Sequence, residues 1–419
     1  MKTLGIVGGG VSFGINAVTQ PFFALYAVEL GASTATVGFL LMVRAILPLI
    51  IAMPAGELID RLGAPHMLRA GNLLTIVSLA MMGFSDNLTV ITLAQLLIGA
   101  ATMVVASSLQ VIVSEGDKAA RERNITRYSA WSSGGTMIGP LIGGGVVTLV
   151  TGMSAATYFT GSAAAGYRSA FLFSLVVAIL YGIAFHFASR EFRSRSKLGK
   201  ELKSVLRPKE MAGSYMQGVH LIKHPGIQFG LVGTFLIHFI QSIWQGFFPL
   251  YLNTLGFGAF VISVLISLRG LAGMLSRLFV GQLVKRWSHQ TLLIAAGCGA
   301  AICLSALPFS NWNAYTIGAV AFLLGSAVGI NMPVSTMIMV DEDSMADRGK
   351  IMGLRLLVNR GSQIAAPALF GFFGQLIGLS AAFVASGGLL LVSMLGFSLY
   401  RKTRFRPQIP INHAEVEKL

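Results

Sequence analysis

The sequence predicts an all-α polytopic membrane protein: twelve transmembrane helices in two six-helix bundles related by pseudo-two-fold symmetry. Three observations carry that expectation. The 419 residues are 54% hydrophobic and only 11% charged, with a mean hydropathy of +0.73, whereas soluble domains carry about 25% charged residues. The apolar residues form continuous runs of roughly 20 or more rather than alternating, which in lipid means helices. Finally, the second half of the chain repeats the polar landmarks of the first at a nearly fixed offset.

In order, the spans are expected at roughly 4–28, 35–55, 67–84, 89–113, 125–150 and 169–188. After a polar segment they resume at roughly 226–252, 258–280, 290–309, 314–338, 350–375 and 379–400. The expected organisation is a bundle over 1–188, a basic linker over 189–224, a second bundle over 225–400 and a tail over 401–419. The first run is full length and has no clear small-residue cleavage site, so no cleavable signal peptide is expected.

A net charge of +15 invites a nucleic-acid reading, but the distribution excludes it. Arg61, Arg69, Lys118, Arg121, Arg123, Lys285, Arg286, Arg348 and Lys350 fall in alternate loops, together with the linker and tail. The opposite loops hold Glu29, Asp86, Asn253 and Asn311, with Arg168 as their one clear basic residue. This is the positive-inside pattern, and it places both termini and the linker in the cytoplasm. The expected location is a bacterial or archaeal inner membrane. Within the linker, YMQGVHLIKHPG reads as a cytoplasmic amphipathic helix drawn to anionic headgroups.

Two other features carry no chemistry. The glycines of GIVGGGVSFG faintly echo a dinucleotide fingerprint, but they sit inside a membrane helix, where small residues let helices approach. Cys298 and Cys303, five apart in one apolar run, point to different helix faces and read as packing residues. No nucleophile–base set or metal-ligand spacing appears, so neither an enzyme nor a cofactor or metal is expected.

With an offset of 225, Asn16 aligns with Gln241, Gln20 with Gln245, Phe22-Phe23 with Phe247-Phe248 and Tyr26 with Tyr251. Leu30-Gly31 then meets Leu255-Gly256, Arg44 meets Arg269, Gly56 meets Gly281 and Arg61 meets Arg286, all without a gap. With one or two inserted residues, Glu115 and Asp117 match Asp341 and Asp343, and Pro140 matches Pro367. Two halves in the same orientation are the parallel repeats of a secondary transporter.

Twelve spans, this repeat and the segment after the second span resemble the major facilitator superfamily. The segment fits that family's G-x-L-x-D-R-x-G pattern at Gly56, Leu58, Asp60, Arg61 and Gly63, read here as a polar turn. The basic residues that usually follow are replaced by Ala64, Pro65 and His66. In the fifth span, Gly135, Gly139, Pro140, Gly143 and Gly144 are similar to the motif of the family's drug-exporter branch. That branch also carries an arginine in the fourth span. Gln95 stands there instead, which weighs against standard proton-coupled drug efflux.

A charge at the bilayer centre costs at least about 2.5–3.5 kcal/mol and normally faces a cavity or a partner. Arg44 and Arg269 are therefore the first candidates for substrate binding. Few mid-span carboxylates exist to pair them, and guanidinium grips carboxylate or phosphate bidentately. Asn16, Gln20, His238, Gln241, Trp244 and Gln245 are expected to line the same cavity, with His238 as the candidate for proton coupling. The resemblance implies a conformational lock of Gly56, Asp60, Arg61, Gly63, Glu115, Asp117 and Arg127, with Arg286, Asp341, Asp343 and Arg355 in the second half. Arg277 and Arg360 belong either to the lock or to the cavity.

The expected function is secondary active transport of a small organic solute by alternating access, as a monomer in the lipid bilayer. Export of an organic anion or amphiphile, with protons as a candidate coupling ion, is favoured over uptake of an anionic nutrient or sugar-like solute. A non-transporting receptor or scaffold would need no paired polar residues inside both halves.

Overall fold

A continuous run of small and apolar residues with few charges satisfies its backbone in lipid as a helix, and the computed structural model shows this for each such run it describes. The structure describes residues 2–156, 163–190, 222, 224–310, 313–341 and 348–404. Among these, twelve long α-helices follow one another: α1 (Lys2–Glu29), α2 (Thr34–Leu62), α3 (Ala64–Phe84), α4 (Leu88–Val113), α5 (Lys118–Ala156) and α6 (Ala163–Ala188) in the first half. The second half contributes α7 (Pro225–Thr254), α8 (Ala259–Arg286), α9 (His289–Ala306), α10 (Ala314–Asp341), α11 (Arg348–Ile377) and α12 (Leu379–Arg404). The linker over 191–221, with its expected amphipathic helix, lies outside the described residues, as does the tail beyond Arg404.

Eleven of the twelve helices are long and apolar enough to cross a membrane. The exception, α11, carries Arg348, Lys350, Arg355, Asn359, Arg360 and Gln363 within its first 16 residues. Large apolar side chains such as Leu73, Leu149, Leu180, Leu278, Leu389 and Val392 are left mostly exposed, the surface a bilayer covers.

The helix ends explain two departures from the sequence-based expectation. The segment Gly56–Leu62 is not a turn: α2 continues through it, with Glu57 and Arg61 ion-paired one helical turn apart. The chain reverses only at Gly63, whose φ of 91° is open to glycine at little cost. Helix α5 begins at Lys118 rather than near 125, because the Asp117 carboxylate caps it by accepting from the Ala120 amide at 2.8 Å.

The repeat extends to cap geometry. Gly31 and Gly256, one offset apart, both take φ near 85°. Each is followed by the same closing bond, from Ala32 N–H to the Ala27 carbonyl at 2.9 Å and from Phe257 N–H to the Leu252 carbonyl at 3.1 Å.

The two halves meet along α2 against α11 and α5 against α8, a pair of contacts that the two-fold exchanges. Near the α1–α2 and α7–α8 turns that contact is tight. Gly38 and Gly371 touch backbone to backbone, and Gly144 meets Ser263, the repeat mate of Gly38. There too Gln375 of α11 accepts from the free Thr34 N–H at the start of α2, at 3.1 Å. One large apolar core runs through both halves at this end, packed with Phe22, Phe23, Phe247, Phe248, Tyr26 and Tyr251. At the opposite end, which bears the basic loops, the core splits into clusters belonging to one half each. The molecule is closed at one end and parted at the other.

Candidate functional site

A cavity of about 620 Å³ occupies the parting between the halves, a size suited to a small organic ligand. Its walls come from α1, α2, α4 and α5, with Asn72 and Thr75 of α3, on one side and α7, α8, α10 and α11 on the other. Four arginines line it: Arg44, Arg269, Arg277 and Arg360. Among the described lining residues there is no carboxylate.

Arg44 and Arg269 each lie about 15 Å along their helices from the closed end, at 1.5 Å per residue. A glycine positions each of them. A β-carbon on Gly99 of α4 would overlap the Arg44 carbonyl oxygen, and one on Gly325 of α10 would overlap that of Arg269. Only a bare α-carbon lets α4 and α10 come close enough to seat the arginine-bearing turns. The two glycines are themselves repeat mates.

The surroundings of the two arginines differ. Arg44 donates a short hydrogen bond to Asn16 Oδ1, which also accepts from the Thr102 hydroxyl at 3.3 Å. Arg269 lies over the Trp244 ring, 5.5 Å from its centroid, and its buried Nε–H has no hydrogen-bond partner among the described residues. Arg360 donates to Gln363 at 2.8 Å and likewise keeps a buried, unpartnered Nε–H. Arg277 stands exposed towards the parted end, 3.7 Å from the Met332 sulfur. These groups are held by amides, an aromatic face and a thioether, none of which carries negative charge.

Where the two halves touch beside the cavity, Gln20 donates to Gln245 at 3.0 Å. These residues are repeat mates, so the pseudo-two-fold axis passes between them.

Asn16, Gln20, Gln241 and Gln245 all line the cavity together with Arg44 and Arg269. His238 and Trp244 stand behind its wall. The His238 imidazole is buried, with Nδ1 at 2.8 Å from its own helix's Thr234 carbonyl, and Trp244 stacks on Phe248 at 3.6 Å while supporting Arg269 from below. Gln95 is buried within the first half, donating to the Met82 sulfur at 3.3 Å, and lies outside the lining.

The glycines of the α5 motif divide by neighbour. Gly135, Gly139 and Gly143 lie against Gly10, Gly14 and Val18 of α1, a stripe of close helix approach within one half. Gly144 faces α8 of the other half, and Pro140 lies inside α5 between the two roles.

Of the charged residues assigned to a lock, Asp60 and Glu115 come together around a shallow groove with Gly56, Gln110 and Arg121. Arg121, named in the sequence only as a loop charge, anchors there by donating to the Ser114 carbonyl at 2.9 Å. Asp117 is occupied as the α5 cap, Arg61 is paired with Glu57, and Arg127 and Arg286 are exposed. Arg355 donates to the Met332 carbonyl of α10 at 3.2 Å. Asp341 ends α10, and Asp343 lies outside the described residues.

Arg277 and Arg360 are the cavity residues that sequence reasoning left undecided. Arg360 had a signal: the offset of 227 that joins Pro140 to Pro367 joins it to Ser133, and both line the cavity.

Sequence and structure comparisons agree on the kind of protein. The sequence model of the Major Facilitator Superfamily matches residues 5–359. The multidrug resistance protein MdtG of Citrobacter koseri is 22% identical over 389 residues, covering 90% of this chain and 89% of MdtG. A bacterial homologue of the human lysosomal transporter Spinster, solved in an inward-facing and occupied conformation, superposes with a TM-score of 0.75 at 13% identity, covering 96% of each chain. The inward-open xylose transporter XylE from E. coli gives a TM-score of 0.69 at 13% identity, covering 98% of this chain and 97% of XylE.

Proposed function

Because the chain belongs to the major facilitator superfamily, we propose that it moves a small organic anion or anionic amphiphile across a bacterial inner membrane, in the direction of export. The observation that carries the anion preference is the cavity itself: four guanidinium groups and no carboxylate among its described lining residues. Guanidinium stays charged at any physiological pH and offers a planar fork of donors to carboxylate or phosphate. Export is supported by the similarity to MdtG over 90% of the chain and by the glycine-proline motif of α5.

In this reading the basic end faces the cytoplasm, as the positive-inside pattern favours, and the cavity opens inward to load its ligand. The domains are two rocking bundles joined by the 189–224 linker, with Asp60, Glu115 and Arg121 closing the parted end on the other stroke. His238 is the residue to test for proton coupling, although it stands behind the cavity wall.

Flux measurements on purified protein in liposomes test this. A panel of organic anions and cationic drugs, with an organic anion present on the far side and with and without a pH gradient, should give movement of anions and none of the cationic drugs. Arg44→Ala and Arg269→Ala should each lower that flux at least tenfold while insertion is retained. Unchanged flux in both variants sinks the anion site. In the same assay His238→Gln should leave anion flux intact if protons are not carried there.

A further inference from the structure

Resting on the reading of the cavity as an anion carrier, we propose that its ligand is an organic dianion, a dicarboxylate or a phosphate monoester, and that the protein is an anion exchanger. The carrier returns only when a second anion replaces the first.

The dianion follows from where the arginines stand. Arg44 belongs to the first half, whereas Arg269, Arg277 and Arg360 belong to the second. A ligand with one acidic group can satisfy one wall and leaves the other charged. A ligand with two can engage both, and it is then the bridge that lets the halves close. The guanidinium groups also have donors to spare. Among the described residues, Arg44 and Arg360 are met only by the neutral amides of Asn16 and Gln363, and Arg269 by the face of Trp244. The buried Nε–H groups of Arg269 and Arg360 have no partner among the described residues, a state that buried donors rarely keep.

Exchange follows from what closing the empty cavity would require. Closing the empty cavity completes the burial of four cations, of which Arg44 and Arg269 are already enclosed while it is open, and burying a charge without an opposite charge is strongly unfavourable. Nothing in the described lining can neutralise them. Guanidinium does not release its proton, no carboxylate is present, and His238 is buried behind the wall on its own helix carbonyl. A dianion offsets two of the four, one on each wall, where the empty cavity has nothing to offset any, so that charge has to arrive with the ligand on both strokes.

Two measurements on the full-length protein test this. The first follows thermal unfolding in detergent with succinate and glycerol phosphate as dianions, propionate and benzoate as monoanions, and glycerol as the neutral control. The dianions should stabilise the protein at concentrations at least tenfold below those of the monoanions, and glycerol should do nothing. Arg360→Ser, which gives α11 the residue found at the equivalent place of α5, should erase the preference, and Arg360→Lys should retain part of it. Equal potency of monoanions and dianions overturns the dianion assignment, as does stabilisation by no anion at all.

The second loads liposomes with radiolabelled succinate or glycerol phosphate. Efflux into buffer containing the same unlabelled dianion should be at least tenfold faster than efflux into buffer with a neutral osmolyte, whether or not a pH gradient is imposed. Equal efflux into both buffers overturns the exchanger while leaving the anion carrier standing. Movement of cationic dye with no anion movement overturns the carrier reading and the present proposal together.

Discussion

At the scale of single residues, the arginines are the visible part of the site and the glycines behind them are the hidden part. Gly99→Ala and Gly325→Ala each drive a methyl into a carbonyl of the arginine-bearing turn. Overpacking of this kind costs about 1–3 kcal/mol. Each should lower the unfolding temperature in detergent by several degrees and weaken ligand binding, whereas Gly134→Ala, with open space around it, should do neither. Equal behaviour of all three variants removes the seating role. Arg44 and Arg269 were legible because a charge in an apolar run is conspicuous and its twin recurs at the same offset. Gly99 and Gly325 were not, because a glycine in a glycine-rich membrane helix gives no sign of which neighbour it admits. Trp244 was expected in the cavity and instead supports Arg269 from behind, a distinction that needs the side-chain geometry of α7 against α8.

At the scale of elements, the helices were legible and their ends less so. Hydropathy detects where a span leaves lipid, but not where the helix itself stops. Thus α2 runs on to Leu62 and α5 starts at Lys118, both in polar sequence, held by an ion pair and a cap respectively. The contact of α2 with α11 makes its own prediction. Thr34 and Gln375 are hydrogen-bonded across the halves, so cysteines placed at both positions, with Cys298 and Cys303 replaced by serine, should cross-link. The cross-linked protein should lose at least nine-tenths of its flux and regain it on reduction. Full transport by the cross-linked form would mean that this end never opens. The interface glycines Gly38 and Gly371 explain why such close contact is possible, and the pairing of α2 with α11 was absent from the sequence pattern because the repeat specifies equivalence rather than adjacency.

At the scale of the whole molecule, the parted end and the sealed end describe one state of a two-state device. Its orientation in the bilayer is open to direct measurement. A single cysteine at Glu115, in a background without Cys298 and Cys303, should react in intact cells only with a permeant maleimide, and one at Asn253 should react with an impermeant maleimide as well. The reverse pattern would invert the topology and make the parted end extracellular. The two-fold relation was legible from rare polar residues repeating at one offset, and it survives even in the hydrogen bonds of the α1–α2 and α7–α8 caps. It also meets its own limit at Gln20 and Gln245. An amide facing its duplicate across a dyad cannot form a symmetric single hydrogen bond, since one partner has to give a proton and the other has to receive it. Two halves descended from one unit are thereby made unequal by hydrogen-bond chemistry at the place where their symmetry is otherwise strictest, so a duplicated transporter acquires a handed centre before any of its side chains diverge.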